Sequence, residues 1–412
     1  MTRPKAISLY TGAGGLDYGI EAAGFETSVA LDCDHDSCET LRKNRRWPVI
    51  ERSIFATSSE EILEIACVKP GEVDLLIGGP PCQPFSKSGF WVRGDSLRLH
   101  DRRADTLSAF MRVIEGARPR AFLFENVEGL AYARKDEGLR FVLDQIESIN
   151  RRTRSSYRPE FAVLSAADFG VPQLRRRFFL VAARDGTPFR FPPPTHSARD
   201  GALPLLETKA FPPHRTAWDA LSDILLDPAE DLCVRGKWGD LLASIPEGRN
   251  YLWHTDRGGG KPLFGWRRRY WSFLLKLAKS HPSWTIQAQP GPAIGPFHWA
   301  NRRLSTRELC RLQTFPDDVL MVGDRGSVQR QIGNAVPSLL AEVLGRSIRT
   351  QLLGSRPTRG PLKLLPPDRS PAPPVERVQP VPKRYWGLLG RHSPHPGTGK
   401  GHAARKRLSE DV

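Results

Sequence analysis

Short apolar runs alternate with longer amphipathic segments over the first 184 residues of the chain. The pattern predicts strands at residues 6–10, 28–32, 73–79, 121–127, 161–170 and 176–184, and helices at residues 16–23, 35–44, 60–67, 106–116 and 137–150. Alternating strands and helices are typical of βαβ units, in which helices cover both faces of a mostly parallel sheet. The last two apolar runs can also pair as a hairpin. We therefore predict an α/β fold with a doubly wound sheet.

Prolines, glycines and tryptophans dominate the stretch between about residues 185 and 301. Seven of the ten tryptophans fall here, and the Pro- and Gly-rich segments predict loops. We interpret residues 185–301 as a second, smaller and irregular domain.

Helical patterns return after this stretch. Ser305 or Thr306 can cap a helix, with Glu308 nearby, and residues 329–336 predict a tight turn that feeds a helix from Pro337. We therefore expect residues 302–354 to fold back on residues 1–184 and complete the first domain.

Charge adds information about partners. The chain has 412 residues and a formal net charge of +16, which suits a polyanionic partner. Half of that net charge lies in residues 355–412, which also hold 11 of the 36 prolines. Because such a composition buries too little apolar surface to form a core, we predict that residues 355–412 are a disordered, Pro-rich basic tail.

The six cysteines are dispersed along the chain. They include no Cys-x-x-Cys pair and no Cys/His cluster at zinc-ligand spacing, so the sequence predicts neither a disulfide framework nor a metal site. Reduced thiols, an N-terminus unlike a signal peptide and no long apolar run predict a soluble, cytoplasmic protein without membrane contact.

Candidate chemistry begins where the first predicted strand ends. Tyr10 precedes a glycine-rich turn, and a strand that runs into glycines and then a helix exposes backbone amides to a cofactor. An ordinary tight turn is the alternative. Asp32 ends the second strand, where its carboxylate can accept both hydroxyls of a ribose or can cap the next helix.

Cys82 lies in the segment GGPPCQPFSKSG, residues 78–89, which follows an apolar strand. Pro80, Pro81 and Pro84 restrict the backbone around this thiol. Because a fixed direction of attack suits a nucleophile, the loop predicts a reactive thiol, with a structural turn as the alternative.

Glu125 ends an apolar strand, and burial there would let its carboxyl hold a proton near neutral pH. Capping of the following turn is the alternative. Arg175, Arg176 and Arg177 open a later strand, so Arg175 and Arg177 share one face. Two guanidiniums on one face suit phosphate or a carbonyl oxygen, although a solvated charge run is the simpler interpretation of these residues alone.

Six motifs together resemble the bacterial DNA (cytosine-5)-methyltransferases of restriction-modification systems. They are LYTGAGGLDYG, GGPPCQPFS, FENVEGL, QLRRR, RRLSTRELCRLQTFPD and QRQIGNAVP, in the family's order over about residues 5–350. The resemblance implies a Rossmann-like, S-adenosylmethionine-dependent domain joined to a smaller target-recognition domain. It also implies methyl transfer to carbon 5 of a cytosine flipped out of a specific duplex DNA site.

The same resemblance implies the roles of individual residues. Cys82 would add to carbon 6 of the cytosine, Glu125 would donate to ring nitrogen 3, and Arg177 would hold the oxygen at carbon 2. Arg175 would position the target nucleotide or the Cys82 loop. The residues implied for the cofactor are Tyr10, Gly12, Gly14, Gly15, Leu16, Asp32, Pro81, Asn334 and Val336.

The chain departs from the family pattern around the cofactor. Tyr10 and Asp32 replace the usual Phe and Glu, while Cys33 stands where an aromatic residue is usual and Ser53 where an aspartate is usual. The last two changes leave the adenine contacts unassigned, but the methyl-transfer residues are unaffected.

The resemblance places DNA contacts in two parts of the chain. Ser86 and Ser88 would contact DNA from the loop after the thiol, and residues 185–301 would read the target, since cations and aromatic residues alternate there around glycines. About half of the tryptophans in that region are expected to form its core. The candidates for DNA contacts within it are Arg257, Arg267, Arg268 and Arg269.

Two other functions remain open from the sequence: an RNA (tRNA) cytosine-5 methyltransferase and a noncatalytic DNA-binding relative. The long Trp-rich insert favours duplex DNA, and the presence of Cys82 and Glu125 favours catalysis. The predicted partners are double-stranded DNA and a cognate restriction endonuclease that acts on the same site without direct binding. A monomer is expected.

Overall fold

A computed structural model describes residues 3–81, 105–131, 137–198, 211–266, 270–357 and 360–390 of the chain. The strands in these ranges are β1 (Lys5–Leu9), β2 (Glu26–Asp32), β3 (Val49–Glu51), β4 (Leu75–Gly78), β5 (Ala121–Val127), β6 (Glu160–Ser165), β7 (Gln173–Leu174), β8 (Arg176–Ala183) and β9 (Ser283–Trp284). The helices are α1 (Gly15–Ala22), α2 (His35–Asn44), α3 (Ser59–Ile65), α4 (Asp105–Ala117), α5 (Glu137–Thr153), α6 (Ala217–Leu221), α7 (Thr306–Leu312), α8 (Arg325–Asn334) and α9 (Ser338–Gln351).

Seven of these strands form one sheet with the order β3-β2-β1-β4-β5-β8-β6. Strands β1 to β5 are parallel, whereas β8 runs antiparallel to both β5 and β6. This confirms the predicted mostly parallel sheet and the antiparallel pairing of the last two apolar runs. The sequence pattern did not predict β3, because three residues are too few to show a period.

Helices cover both faces of the sheet, which makes the fold doubly wound and Rossmann-like. Successive strand residues point to opposite faces, so Ile7 packs with residues of α3, α4 and α5, whereas its neighbour Ala6 packs with residues of α1 and α9. Because both faces of the central strands are buried, these strands carry uninterrupted apolar runs, such as residues 75–77 and 178–183, rather than alternating patterns.

The C-terminal helix α9 packs on α1 at very short range. A Cβ added to Gly19 of α1 would lie 2.1 Å from the carbonyl oxygen of Ser338, and the Ser338 hydroxyl donates to the carbonyl of Gly15 at 2.8 Å. Only glycine allows the two backbones to approach so closely. This contact supports the expected return of residues 302–354 to the first part of the chain.

Residues 329–334 differ from expectation, since they belong to helix α8 rather than to a tight turn. The Asp324 carboxylate accepts from the amide of Ser327 at 2.7 Å and caps the helix, and Val328 and Ile332, four residues apart, are both buried. Gly333 lies in the last turn of this helix. A Cβ there would lie 2.5 Å from the backbone of Ala288, so only glycine allows this close approach. The glycine therefore serves packing and not a turn.

A separate apolar cluster lies mainly between residues 241 and 297, and we call it the small core. Around it the described backbone forms 3-10 turns, such as Gly239–Ser244 and Tyr251–His254, and isolated bridges rather than long strands. This agrees with the loop-rich pattern of the sequence. The buried residues of the small core are Leu241, Leu242, Ile245, Tyr251, Leu263, Phe264, Phe273, Leu274, Phe297, Val381 and Tyr385.

The prediction that residues 355–412 are disordered is wrong for residues 360–390, which pack along the rest of the protein. Val381 and Tyr385 are buried in the small core, more than 80 positions after its other members. Composition misled here because the segment has few apolar residues of its own, and it uses them on surfaces that other parts of the chain provide. Residues 391–412 lie outside the described ranges.

Candidate active site

Several predicted site residues meet at one edge of the sheet. Strands β2, β1, β4 and β5 are parallel neighbours, and Leu9 at the end of β1 is opposite both Leu31 of β2 and Gly78 of β4. The glycine-rich turn, Asp32, the loop that begins at residue 79 and Glu125 therefore follow adjacent strand ends. Open α/β sheets bind their ligands at this edge.

The glycine-rich turn is open on one side and closed on the other. Gly12 and Gly14 have positive φ angles of 54° and 83°, which glycine adopts without strain. A Cβ added to Gly12 would meet nothing within 4 Å among the described residues, whereas one added to Gly15 would lie 2.5 Å from the carbonyl oxygen of Val336. The C-terminal segment thus closes one side of the turn, and no other described residue covers the side at Gly12.

Three other predicted cofactor residues differ in exposure. Leu16 and Val336 are buried, so they contribute packing around the turn. Asn334 is exposed at the end of α8, two residues before Val336. The C-terminal segment therefore brings one buried apolar side chain and one accessible amide to this edge.

Asp32 is fixed by the backbone beside this turn. Its two carboxylate oxygens accept from the amides of Gly12 at 2.7 Å and Asp34 at 2.9 Å. Burial raises the pKa of Asp32 above its ordinary value, although these N–H groups oppose the rise. Helix α2 is capped by Asp34 instead, whose side chain accepts from Ser37, so the capping interpretation of Asp32 does not apply.

Thr106, in the first turn of α4, joins the glycine-rich turn to the Cys82 loop. The Tyr10 hydroxyl donates to the Thr106 carbonyl at 2.9 Å, and the Thr106 hydroxyl donates to the carbonyl of Pro81 at 3.0 Å. Pro81 itself is exposed. Thr106 carries no motif, so the sequence analysis did not identify it.

Asp17 is a second group that the sequence analysis missed. It lies fully buried in the first turn of α1, and neither of its carboxylate oxygens has a well-formed hydrogen bond among the described residues. Burial raises its pKa to about 7, a rise that the nearby Ser8 hydroxyl opposes in part. A polar residue at a helix N-terminus ordinarily faces solvent, so this burial could not be predicted from the sequence.

Glu125 is buried at the end of β5 and is paired with Arg177. The Arg177 Nε lies 3.0 Å from Glu125 Oε1, which follows from the antiparallel register that puts Val127 opposite Arg177. Burial raises the pKa of the Glu125 carboxyl, while the positive charges of Arg177 and Arg175 oppose the rise. The outcome is a carboxyl that holds its proton more readily than an exposed one.

The start of the Cys82 loop lies against this carboxyl. A Cβ added to Gly79 would lie 2.7 Å from Glu125 Oε2, and the Asn126 side chain donates to the Pro80 carbonyl at 3.1 Å. Gly79 therefore makes room for the carboxyl, and Asn126 fixes the loop next to it. Neither residue could be assigned a role from the sequence.

Replacing Gly79 by alanine is expected to lower turnover about tenfold to a hundredfold, because misplacing a reacting group by even ~1 Å has effects of that size. The added methyl group must displace the Glu125 carboxyl. The end of a side chain can move at little cost, so the melting temperature should change little. Steady-state kinetics and thermal unfolding measure the two effects.

Gly387→Ala is the matched control, since a Cβ there would meet nothing within 4 Å among the described residues. It should leave turnover unchanged. Unchanged turnover in Gly79→Ala as well would show that the position of the Glu125 carboxyl does not matter.

Arg175 is expected to position the target nucleotide or the Cys82 loop. It lies between β7 and β8, is fully buried, and donates to the carbonyls of Ile286 at 3.3 Å and Gly333 at 2.8 Å. Its guanidinium therefore connects three segments of the described chain. Arg176, by contrast, is exposed and lies 3.5 Å from the Glu128 carboxylate.

Six predicted site residues lie outside the described ranges: the predicted nucleophile and five residues predicted to contact DNA. They are Cys82, Ser86, Ser88, Arg267, Arg268 and Arg269. The roles expected of them stay predictions.

Arg257, the remaining DNA-contact candidate, is exposed, and its guanidinium stacks 4.4 Å from the ring centre of Trp266, which is also exposed. The glycines that follow it are held in place, since a Cβ on Gly259 would lie 2.3 Å from the ring of Trp253. These glycines therefore permit close packing of the loop against Trp253. The loop of residues 257–261 is a defined surface feature.

The tryptophans of this region divide between core and surface, as expected. Trp299 is buried and Trp238 packs on the small core, whereas Trp266 and Trp271 are each 41% exposed. Exposed aromatic rings next to cations are suited to contacts with bases and sugars.

His35, Glu39 and Glu51 form a group of possible metal ligands among the described residues. Arg42 pairs with both carboxylates, at 2.7 Å from Glu39 and 2.5 Å from Glu51, and therefore already compensates their charge. The five described cysteines are free thiols. Within the described ranges, no helix has the length and apolarity needed to cross a membrane.

Comparison with known protein families gives one match over most of the chain. The family model described as C-5 cytosine-specific DNA methylase matches residues 4–350. The Type II methyltransferase M.SacI of Streptomyces achromogenes is 40% identical over 380 residues, which cover 86% of this chain and 95% of that protein. The Type II methyltransferase M.NgoFVII of Neisseria gonorrhoeae is 33% identical over 351 residues, which cover 84% of this chain and 86% of that protein.

Solved structures with low sequence identity share the fold. A putative DNA modification methyltransferase from an Escherichia coli prophage has a TM-score of 0.58 at 22% identity, covering 85% of this chain and 100% of that one. The Dnmt2 methyltransferase of S. pombe has a TM-score of 0.55 at 16% identity, covering 86% of this chain and 99% of that one.

Proposed function

The chain belongs to the family of C-5 cytosine-specific DNA methylases and is a cytosine-5 DNA methyltransferase of the Type II restriction-modification kind, and from this premise we propose how its residues act. Cys82, Glu125 and Arg177 activate a cytosine that has been flipped out of a specific duplex site, so that its carbon 5 can be methylated. One observation carries the proposal: the buried Glu125 carboxyl is paired with Arg177 and lies against Gly79, three residues before Cys82.

Carbon 5 of cytosine is a weak nucleophile, and the chain must activate it. Addition of the Cys82 thiolate to carbon 6 converts the ring into an enamine, whose carbon 5 can attack an electrophilic methyl group. A proton on ring nitrogen 3 draws electrons from the ring and eases this addition, which is the task of Glu125. After methylation, loss of the proton from carbon 5 lets the Cys82 sulfur leave and restores the aromatic ring.

The surroundings of Glu125 support this role. Burial raises the pKa of its carboxyl, which favours the protonated form that can donate to ring nitrogen 3. Once the proton has moved, the Arg177 guanidinium at 3.0 Å compensates the carboxylate charge. Arg177 keeps further N–H groups for the oxygen at carbon 2 of the ring. We regard Arg175 as a positioning residue, because its bonds go to the backbone.

We propose S-adenosylmethionine as the cofactor, and the residues of the glycine-rich turn fit it. The open side at Gly12 can receive a ligand, and the fixed carboxylate of Asp32 has lone pairs left for ribose hydroxyls. When bound, the cofactor supplies a methyl group on a positively charged sulfur. The residues proposed to hold it are Tyr10, Gly12, Gly14, Gly15, Leu16, Asp32, Pro81, Asn334 and Val336.

Mapping of methylated cytosines by bisulfite, together with methyl incorporation into duplex DNA and transfer RNA, tests the proposed function. We expect modified cytosines in one sequence context of the DNA and none in transfer RNA. Methylation of transfer RNA alone would contradict the proposal, and so would DNA binding without methylation of any cytosine.

We propose that residues 185–301 read the target sequence, with the loop of residues 257–261 and its neighbours on the DNA. The exposed pair of Arg257 and Trp266 supports this assignment. By analogy with the relatives, we also propose a cognate endonuclease that cuts the same site in unmodified DNA. The enzyme would act as a monomer in the cytoplasm.

Exchanging residues 185–301, together with the packed residues 360–390, for those of a relative with another target should change the methylated sequence to that of the relative. Turnover at the new site should stay within about tenfold, because the residues that act on the base are not exchanged. Bisulfite sequencing reads the outcome. Unchanged specificity would refute the placement of the reader.

A further inference from the structure

Residues 360–390 form a segment that we call the strap. The whole strap lies beyond residue 350, where the match to the family ends. It runs from α9 to the small core. The strap contacts the rest of the protein at four successive places, each through named polar or apolar pairs. The order of these contacts along the strap shows which parts of the protein it connects.

The first contact ties the strap to the sheet-bearing part of the protein. Arg346 of α9 donates to the carbonyls of Gly360 at 3.0 Å and Pro361 at 2.6 Å. The fully buried Glu342 accepts from the amides of Lys363 at 2.8 Å and Leu364 at 3.0 Å. A buried carboxylate that accepts two backbone amides fixes the segment strongly. The strap therefore starts from a rigid base.

The second contact lies at α6, which packs with α1 and α7 in one cluster. The Arg369 amide donates to the Asp219 carboxylate at 2.7 Å, and the Arg369 guanidinium pairs with Asp223 at 2.6 Å. Arg215 pairs with Asp368 at 2.7 Å. These three pairs hold the middle of the strap.

The third contact centres on Lys279, whose side chain is only 4% exposed. Its ammonium group lies 2.8 Å from Glu247 and 2.9 Å from Glu376, and it donates to the carbonyl of Pro374 at 3.0 Å. A buried ammonium needs all of these acceptors. Glu376 and Pro374 belong to the strap, so the strap supplies two of these three acceptors.

The fourth contact completes the small core. The ring of Tyr385 stacks on Trp238 with ring centres 5.4 Å apart and planes at 14°, and its hydroxyl lies 2.6 Å from the Lys237 carbonyl. Trp386 is covered by the ammonium group of Lys261 at 4.5 Å from the ring centre. Lys261 ends the loop of residues 257–261, and the strap thus reaches the proposed DNA-reading surface.

We propose that the strap is a positioning element for target recognition, which fixes residues 185–301 against the sheet and holds the loop of residues 257–261 in place. The inference rests on the proposed function of residues 185–301 as the reader of the target. Preorganised contacts bind more tightly because less freedom is lost on binding. Loosening the strap should therefore weaken recognition of DNA, while the residues that act on the base stay as they are.

The full-length variants Tyr385→Ala and Arg369→Ala test the proposal by weakening two separate contacts. Each should raise KM for the cognate duplex about tenfold and lower the preference for cognate over near-cognate sites, while kcat at saturating DNA changes less than about twofold. The affinity for S-adenosylmethionine, measured by calorimetry, should not change. Tyr385→Phe, which keeps the stacked ring, should restore most of the KM.

Arg377→Ala is the matched control for Arg369→Ala. Arg377 is an exposed arginine of the strap, and it forms no ion pair with any described residue. Its variant should behave as the parent enzyme. An unchanged KM in both Arg369→Ala and Tyr385→Ala would overturn the proposal, as would an equal loss of kcat and cofactor affinity, which would mark the strap as a general stabiliser.

The outcomes also separate this inference from the proposed function. If the parent enzyme methylates DNA and the strap variants do so equally well, only the role of the strap is refuted. If the parent enzyme methylates no DNA, the proposed function itself fails.

Discussion

Replacing Cys82 by serine is expected to abolish methylation while DNA binding stays measurable. A cysteine has a small thiolate fraction at pH 7 and is intrinsically very nucleophilic, whereas a serine hydroxyl is far less acidic and needs a neighbouring base. Loss of a nucleophile lowers turnover by at least about a thousandfold, which corresponds to about 4 kcal/mol of transition-state stabilisation. The surface that holds the DNA is not altered, so the dissociation constant should change little.

Cys67→Ser is the control for this variant. Cys67 is a free thiol, but it precedes β4 and so lies at the opposite end of that strand from the site. Radiolabelled methyl transfer and a gel-shift titration measure activity and binding. A Cys82→Ser enzyme with substantial turnover would contradict the covalent route.

Replacing Glu125 by glutamine should lower turnover about a hundredfold to ten-thousandfold, the contribution expected of a general acid. The amide has almost the same shape as the acid, so the pocket beside Gly79 is preserved, but it cannot transfer a proton to the ring. Arg177 also loses its charged partner at 3.0 Å. The defect should appear in kcat rather than in the KM for DNA.

The pH profile gives an independent test of the same role. Because burial raises the pKa of Glu125, its protonated form persists to higher pH than that of an exposed glutamate, and kcat should fall as rising pH removes this proton. In Glu125→Gln this falling limb should be absent. Glu160→Gln, which changes an exposed carboxylate on β6, should keep it. A falling limb retained in Glu125→Gln would assign it to another group.

The sheet of this protein could be predicted from the sequence because its strands are buried on both faces. Runs such as residues 121–124 and 178–183 are apolar without interruption, and the intervening helices show a helical period. The short strand Val49–Glu51 and the helical state of residues 329–334 could not be predicted in the same way. The short strand forms because it pairs with β2. Residues 329–334 are helical because the Asp324 side chain caps the helix that contains them.

The residues proposed to act on the base were identified for a different reason: they lie at or near strand ends and in dense motifs. Glu125 and Arg177 are indeed brought within 3.0 Å of each other. Gly79, Asn126 and Thr106 were missed, because each acts through contacts with residues distant in the chain. Such contacts leave no local pattern of charge or hydrophobicity.

Residues 360–390 show the limit of composition as a guide. Their prolines and cations resemble a disordered tail, yet Tyr385 is buried in a core built by residues more than 80 positions earlier. A segment can be ordered when other parts of the chain supply the apolar surface. Only the three-dimensional structure reveals that surface.

The central claim is that the Cys82 sulfur bonds to carbon 6 of the target cytosine, and a trapped adduct tests it most directly. Duplex DNA with 5-fluorocytosine at the target position can be attacked and methylated, but fluorine cannot leave as a proton does, so the sulfur cannot be expelled. We predict a protein–DNA adduct on the peptide that contains Cys82, formed only with S-adenosylmethionine and absent in Cys82→Ser. Mass spectrometry that finds no adduct, or one on another residue, would contradict the account.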